Sequence, residues 1–468
     1  MSVPPPPRRT RDETSARDLA LDVLVEVSTN DAYANLALSR AMSRDHTQRR
    51  EAGLATELVF GTLRLRGRYD AVIAACSARA LDQIDPVVLD ALRMGSHQIL
   101  TLSIPDYAAV SATVDQVRHR RGQGAAKFAN AILRAVARRS WDEWLEVVAP
   151  PTEPEPARWE VEWSHPGWII RAFADALMRQ DAASELRDLL EVNDTAGPVS
   201  LVARPGRIDQ AELIEQTDGK PGQWSPWAVR IAGDPGRFPA VRDGRAGVQD
   251  EGSQLIALAV SRLPSPAGDW LDLCAGPGGK TADLAGPAAA AGATLTAVEQ
   301  HPHRAELVRS AVAGGPPVEV VTGDAVIEAV GSYSRILVDA PCTGLGALRR
   351  RPELRWRRSP GDLPQLRAIQ RKLLTHAVDL LVPGGCVAYV TCSPHVAETH
   401  DIVAAVMADH PDLRLVPAGP LLPEVPDAAV GDFVQLWPQR HNTDGMFLAV
   451  LQRPDHRRGA GDPAASLA

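Results

Sequence analysis

Nowhere in the 468-residue chain is there a run approaching the ~18 apolar residues that a membrane-spanning helix requires. The opening residues, MSVPPPPRRTRDE, also lack the apolar centre of a signal peptide. These two absences predict a cytoplasmic protein with no membrane partner. Cysteine is scarce: five residues, unevenly spaced, are too few for a disulfide framework in a chain this long, and reduced thiols are expected. Overall positive charge is missing too. The formal net charge of −8 counts mildly against nucleic acid as a partner, because phosphate binding usually leaves a basic footprint.

What is present is an ordinary soluble composition, 45% hydrophobic and 23% charged, able to bury substantial cores. At about 150 residues per domain, the length suggests roughly three domains. Charge is unevenly spread. Arg118 to Arg139 holds seven Lys/Arg and no acids, and Ala347 to Lys372 holds nine against two acids. A basic run is as readily a solvated helix face as a phosphate contact, so neither segment decides the partner alone.

Residues 1–12 are rich in Pro and Arg, and 454–468 in Gly, Ala and Pro; both ends read as disordered. Residues 13–147 show helical periodicity throughout, as in Leu54, Leu58 and Leu63, or Phe128, Ile132 and Val136. They read as an all-α domain of about five or more helices. The proline- and acid-rich VVAPPTEPEPARWE places a linker at 148–159. Residues 160–245 mix helical stretches with the extended GPVSLVARP and read as a small α+β connecting domain. From 246 to 453 apolar strands alternate with helices, the mark of βαβ units and a parallel sheet. Candidate strands are WLDLC, ATLTAVE, VEVVTGD, RILVDAPC and CVAYVTC, with later segments near DFVQLW and GMFLAVL. Before the fifth strand, an amphipathic helix carrying Leu366, Ile369, Leu373, Ala377 and Leu380 is expected to stop at PGG.

In LDLCAGPGGKTADLA an apolar strand ends in a Gly/Pro-rich turn that opens a helix. There a ligand can approach the backbone and meet the positive end of a helix dipole. The turn comprises Cys274, Ala275, Gly276, Pro277, Gly278, Gly279 and Lys280. A phosphate-binding P-loop would need Gly where Cys274 stands, and a dinucleotide fingerprint would need Gly where Thr281 stands. Successive strand-end acids then specify another nucleoside cofactor. Glu299 suits the ribose hydroxyls, Asp324 the adenine amino group, and Asp339 a place nearer the chemistry. Glycine turn and strand-end acids together are the layout of an S-adenosylmethionine site.

In DAPCTGLGALRRRPELRWRR, Pro341 fixes a turn that presents Cys342. Beyond it, Arg349, Arg350, Arg351, Arg355 and Arg357 are candidates to hold phosphates and Trp356 to stack on a base, with core packing the competing reading for Trp356. Cys392 follows fifty positions after Cys342. If the fourth and fifth strands are neighbours, both thiols flank one pocket. A metal site using Cys342, Cys386, Cys392, His395 and His400 lacks a standard paired spacing, so no metal is expected. A disulfide is disfavoured in a reducing cytoplasm. GVQDEGSQL is placed to lay a helix over the cofactor edge, and His441 reads as a hydrogen-bonded loop histidine.

In this order, DLCAGPGGKT, DAPCTGLGALRRRPELRW and VTCSPHVAET resemble the RNA cytosine-5 methyltransferases that carry paired cysteines in PC and TC motifs. The helical front, with RDLALDVLVEV and FANAILRAVAR, resembles the NusB-like RNA-binding domain of an antitermination factor. The combination, over nearly the whole chain, is similar to the ribosomal RNA small-subunit methyltransferase B family, which methylates a cytosine of 16S ribosomal RNA. The resemblance implies three parts: an all-α NusB-like domain, a small α+β connector, and a Rossmann-like α/β methyltransferase domain. It implies Cys392 as nucleophile, Cys342 as second thiol, and S-adenosylmethionine held by Cys274 to Lys280 with Glu299, Asp324 and Asp339. RNA rather than DNA is the implied partner. Two departures stand out: CAGPGG where the family more often has CAAPGG, and Glu299 where Asp is common. Neither is expected to abolish binding, Gly276 merely loosening a turn.

The chemistry accounts for two cysteines. Carbon 5 of cytosine is a poor nucleophile, so a thiolate must first add to carbon 6. A free thiol of pKa about 8.5 is only a few per cent thiolate at pH 7, so the site must lower that value or deprotonate the thiol on substrate binding. Asp339 is a candidate to hydrogen-bond the base near its ring nitrogen, and Cys342 to assist release. Two other readings stay open: a cytosine-5 methyltransferase acting on transfer RNA, and a non-catalytic RNA-binding or assembly factor with a decayed cofactor fold.

Overall fold

A computed structural model describes residues 15–44, 49–102, 104–152 and 155–455. The expected disordered N-terminus, 1–12, and residues 456–468 of the expected tail lie outside the described residues. The chain forms two compact units. One comprises residues up to Arg171 with Leu190–Thr195 and Leu348–Arg358; the other comprises Ala172–Leu189, Ala196–Ala347 and the residues from Ser359 onward.

The first unit is helical, and its helices begin where the sequence supplies caps. Ser15 Oγ accepts from the Asp18 N–H to start Ala16–Thr29, and Asp85 caps Pro86–Leu100, whose first residue is a proline suited to that position. Pro86–Leu100 is buried from Val87 through Gln98, so its polar side chains need partners inside. Arg93 finds Asp70 at 2.6 Å and Asp90 at 2.9 Å, and Tyr69 OH sits 2.7 Å from His97 Nδ1. Gly122, at φ 80°, breaks the long segment Asp106–Val136 into two helices. The basic run around this break is engaged by acids from earlier helices: Arg120 reaches Asp22 at 2.7 Å and Arg121 reaches Asp85 at 2.9 Å. A helix, Glu155–Glu162, begins inside the stretch expected as a linker.

The arginine-rich segment Leu348–Arg358 also belongs to this unit, and the structure corrects the expected phosphate role of Arg355 within it. Arg355 is wholly buried. Its guanidinium donates to the carbonyls of Arg64 (2.9 Å), Ser164 (3.1 Å) and Asn193 (2.6 Å) and pairs with Asp194 at 2.8 Å, and its burial puts it out of reach of a phosphate. Trp356 donates its indole N–H to the Leu63 carbonyl at 2.9 Å, with the Arg66 guanidinium over its ring. Arg357 donates to the Ala32 carbonyl at 2.6 Å, Arg349 is buried, and Arg351 lies over the Tyr33 ring. Arg350 is half-buried and has its own interactions. The physical reason is a match of donors to acceptors brought together by packing: a guanidinium has five donors, and helix C-terminal carbonyls are ready acceptors.

The second unit holds two sheets. The smaller comprises β1 (Val199–Ala203), β2 (Lys220–Pro221), β3 (Ala228–Ile231) and β4 (Ala246–Val248), all antiparallel in the order β2-β3-β1-β4. It belongs to the same compact unit as the larger sheet. The larger comprises β5 (Trp270–Asp272), β6 (Leu295–Glu299), β7 (Val318–Thr322), β8 (Tyr333–Asp339), β9 (Leu381–Thr391), β10 (Arg414–Val416), β11 (Ala429–Val430), β12 (Phe433–Gln435) and β13 (Phe447–Gln452). Its order is β11-β12-β13-β9-β8-β5-β6-β7, with β10 on β13. The ladder from β9 to β7 is parallel and β13 joins β9 antiparallel. Central strands read as unbroken apolar runs because both faces are covered; Ile336 to Val338 and Cys386 to Val390 have no exposure. The PGG expected to end a helix instead lies within β9, where the register jumps from Tyr333↔Leu381 to Arg335↔Cys386. Strand order reverses between β5 and β8, so a crevice opens past their carboxyl ends.

Truncating Arg355 leaves the buried Asp194 short of a partner. Arg355→Ala is expected to destabilise the protein by about 3–5 kcal/mol. Arg355→Ala with Asp194→Ala should cost less than the sum of the single changes in denaturant titrations.

Candidate active site

The crevice is floored by the turn after β5. Cys274 is half-buried there, Ala275 is buried, and Gly278 adopts φ 105°, where an added Cβ would come 2.8 Å from Val308 Cα. Only glycine takes that turn without strain. The helix Gly279–Ala290 follows directly, so the turn sits at a helix N-terminus. Gln249 lies beside it: its side-chain oxygen would be 3.3 Å from a Cβ at Gly279, and its amide donates to Asp283 at 2.7 Å. The helix Glu251–Ser261, capped by Asp250, thus begins next to the turn, as GVQDEGSQL suggested.

The expected acids stand at successive strand ends. Glu299 is buried at the end of β6, accepting from the N–H groups of Gly276 (3.1 Å) and His301 (2.9 Å). Arg304 braces the same point by donating to the Gly276 carbonyl. Asp324, two residues past β7, accepts from the Val326 N–H at 2.9 Å and so caps Ala325–Glu328. Asp339 ends β8 and pairs with Lys280 Nζ at 2.8 Å. Beneath them, Asp272 accepts from Thr281 Oγ1 at 2.6 Å. Burial pushes the Asp272 carboxyl up to about 6, the Thr281 bond opposing and the Asp339 charge adding to the rise. Burial, then the charges of Asp272, Asp339 and Glu299, hold the Cys274 thiol well above the usual range. Burial works against the Lys280 charge, but the Asp339 carboxylate outweighs it and the ammonium is strengthened.

Beyond β8 and β9 the two remaining expected residues meet. The register Asp339↔Val390 sets the strand ends level, and Cys342 Sγ lies 3.4 Å from Cys392 Sγ. The Gly346 N–H donates to the Cys392 carbonyl at 2.8 Å, and Gly346 abuts Gly445 so tightly that a Cβ would be 1.9 Å from the Gly445 oxygen. The hydrogen bond from Cys392, then burial, then nearby negative charge push the Cys342 thiol well above its usual value. Cys386 is not with the pair; it lies midway along β9, directed at the Pro264 carbonyl (3.5 Å). His441 is buried, with its ring nitrogens engaged by the Trp437 N–H (2.8 Å) and the Pro426 carbonyl (3.0 Å).

Two residues here went unnoticed in the sequence. Glu398 is wholly buried and accepts from the Thr343 N–H (2.8 Å), Thr343 Oγ1, Ser393 Oγ (2.7 Å) and Gln370 Nε2 (3.1 Å). Gln370 also donates to the Pro341 carbonyl at 2.9 Å. The available signal was a lone carboxylate six positions past Cys392, within VTCSPHVAET.

Comparison with known proteins accords with this arrangement. Residues 260–452 match the family model of the 16S rRNA methyltransferase RsmB/F, and residues 14–138 match the NusB family. Rv1407 of Mycobacterium tuberculosis is 47% identical over 453 residues, covering 96% of this chain and 98% of that protein. The ribosomal RNA small subunit methyltransferase B of Thermus thermophilus is 30% identical over 438 residues, covering 93% and 97%. Among solved structures, PH0851 superposes with a TM-score of 0.79 at 22% identity, covering 94% of this chain and 99% of that one, a likeness of fold. With a helical front and a sheet that each match their model, and relatives aligned from end to end, the chain belongs to the RsmB/F family of S-adenosylmethionine-dependent RNA methyltransferases.

Proposed function

We propose that the chain methylates carbon 5 of a cytosine in 16S ribosomal RNA through a transient bond between Cys392 Sγ and carbon 6 of that base. The observation that carries this reading is the pair of thiols 3.4 Å apart beside a glycine turn and strand-end acids. The pocket fits S-adenosylmethionine electrostatically: beyond the effect of burial, the charges of Asp339 and Glu299 add to the rise of the Cys274 thiol, and Asp339 to that of the Asp272 carboxyl, a negative field that a cation would relieve. Cys274 to Lys280 would hold it, with Glu299, Asp324 and Asp339. Bound there, it supplies a methyl group made electrophilic by a sulfonium.

Cys392 acts first. Its thiolate adds to carbon 6, the ring electrons shift so that carbon 5 becomes nucleophilic, and Asp339 hydrogen-bonds the base near its ring nitrogen. Lys280 fixes the Asp339 carboxylate for this task. After methylation, the proton on carbon 5 must leave before the S–C6 bond breaks and the ring is restored. Cys342, next to the adduct sulfur, is the group we assign to that release, as base or by arranging one. A ribosomal substrate is favoured over transfer RNA by the helical front and by the Thermus relative's name.

Gly276 and Glu299 form one unit of the cofactor site, contrary to the expectation that Gly276 merely loosens a turn. A Cβ at position 276 would lie 2.1 Å from Glu299 Oε2. The longer acid therefore occupies the space that an alanine would take, and the two departures from the family pattern compensate each other.

Three outcomes test this reading. With labelled S-adenosylmethionine, methyl transfer to unmodified 16S RNA should exceed transfer to transfer RNA transcripts; the reverse order would reject the ribosomal assignment. Cys392→Ala should reduce turnover to background, whereas Cys342→Ala should accumulate a protein–RNA adduct that survives denaturing electrophoresis; full activity of the Cys392 variant would sink the covalent step. By calorimetry, Gly276→Ala and Glu299→Asp should each weaken S-adenosylmethionine binding while the double variant recovers most of it, a coupling of roughly 1–3 kcal/mol, and simple additivity would disprove the compensation.

A further inference from the structure

We infer that Glu398 is the positioning residue of the thiol pair, its carboxylate holding the two cysteine turns in one frame. The need arises where the sheet stops. The β8–β9 ladder ends with the Ala340 N–H donating to the Val390 carbonyl at 2.9 Å, and the next main-chain tie between these turns is Gly346 to the Cys392 carbonyl. Cys342 and Thr343 lie in the gap. Nothing in strand pairing alone keeps Cys342 beside Cys392 there.

Glu398 spans that gap. From the residue after Cys342 it accepts the Thr343 N–H and the Thr343 hydroxyl, and from the residue after Cys392 it accepts the Ser393 hydroxyl. The two hydroxyls are themselves 3.0 Å apart. Gln370, on the helix Leu363–Asp379, donates to Glu398 and to the Pro341 carbonyl, the residue before Cys342. Both flanks of Cys342 and the residue following Cys392 are thus tied to one carboxylate. The Glu398 backbone is fixed in turn by Tyr389 of β9, whose hydroxyl donates to its carbonyl at 2.7 Å. An ionised carboxylate is an acceptor-only group with about four lone-pair sites, and four donors meet it here. That match offsets the cost of burying it with no exposure. With their backbones held, the thiols keep little freedom beyond rotation about χ1, which is what a reaction that makes and then breaks one S–C bond requires of two neighbouring sulfurs.

For its effect on methyl transfer the inference rests on the covalent reading of Cys392; for the spacing of the sulfurs it does not. The spacing can be read without RNA or cofactor using phenylarsine oxide, an arsenic(III) reagent that condenses with two adjacent thiols, forming two As–S bonds and releasing one water. The full-length protein should capture one arsenic across Cys342 and Cys392, detected by intact mass, and Cys342→Ala should not. Glu398→Asp, too short to span the gap, and Glu398→Ala should weaken capture at least about tenfold and lower kcat by a similar factor, with binding of S-adenosylmethionine little changed. Glu398→Gln should rescue most of what Glu398→Asp loses, because an amide keeps the length and the hydroxyls of Thr343 and Ser393 can turn to accept from it. Thr343→Val removes one tie and should fall between wild type and Glu398→Asp, which keeps the inference open to test if Glu398→Ala does not fold. Wild-type capture by both Glu398→Asp and Thr343→Val would overturn it, as would lost methyl transfer with capture intact. Lost capture with methyl transfer intact would uphold Glu398 as the positioning residue and count instead against the paired-thiol chemistry.

Discussion

The site depends on β8 and β9 being hydrogen-bonded neighbours in parallel register. Parallel pairing sets equivalent strand ends level, so residues just beyond Asp339 and Val390 emerge side by side although fifty positions separate Cys342 from Cys392. An antiparallel pairing would have sent the two cysteines to opposite edges. The same topology puts the glycine turn after β5 next to β8, at the point where strand order reverses. Cofactor turn, acid and thiols therefore converge because of connectivity, and no single segment contains the site.

Convergence concentrates charge, and the local interactions control it. Asp272, Glu299 and Asp339 crowd one end of the sheet, and burial together with their charges raises the Asp272 carboxyl and the Cys274 thiol. Lys280 offsets part of it by pairing with Asp339. Hydroxyls do the finer work: Thr281 on Asp272, and Thr343 with Ser393 on Glu398, each supply a donor where water is excluded. The pocket thereby combines a field suited to a cationic methyl donor with two sulfurs 3.4 Å apart.

Arginine illustrates how the same residue type divides between surface chemistry and structure. In RRRPELRWRR, composition alone suggests a phosphate-binding strip. Packed within the helical unit, Arg355 instead satisfies three carbonyls and Asp194, and Trp356 closes over Gly67, where a Cβ would come 2.8 Å from its ring. Guanidinium chemistry is identical in both settings; what differs is whether carbonyls or solvent surround it, and that is settled by contacts nearly three hundred residues away in sequence.

Much of the protein was legible in the sequence wherever the signal is local. Apolar runs ending in a glycine turn, strand-end acids, and the DAPC and VTCS motifs marked the turn after β5 and both thiols at strand ends, because backbone conformation and strand position follow from neighbouring residues. Helix starts at Ser15 and Asp85 were set by side chains within three residues of the groups they cap. What only the tertiary structure decided is which distant groups meet. The PGG bulge inside β9, the close approach of Gly276 to Glu299, the burial of Arg355 and the four donors on Glu398 each depend on approach in space. Sequence spacing encodes the direction of a side chain along its own element; the identity of its partner is fixed only when elements pack and each buried polar group must be satisfied by whatever lies within hydrogen-bonding reach.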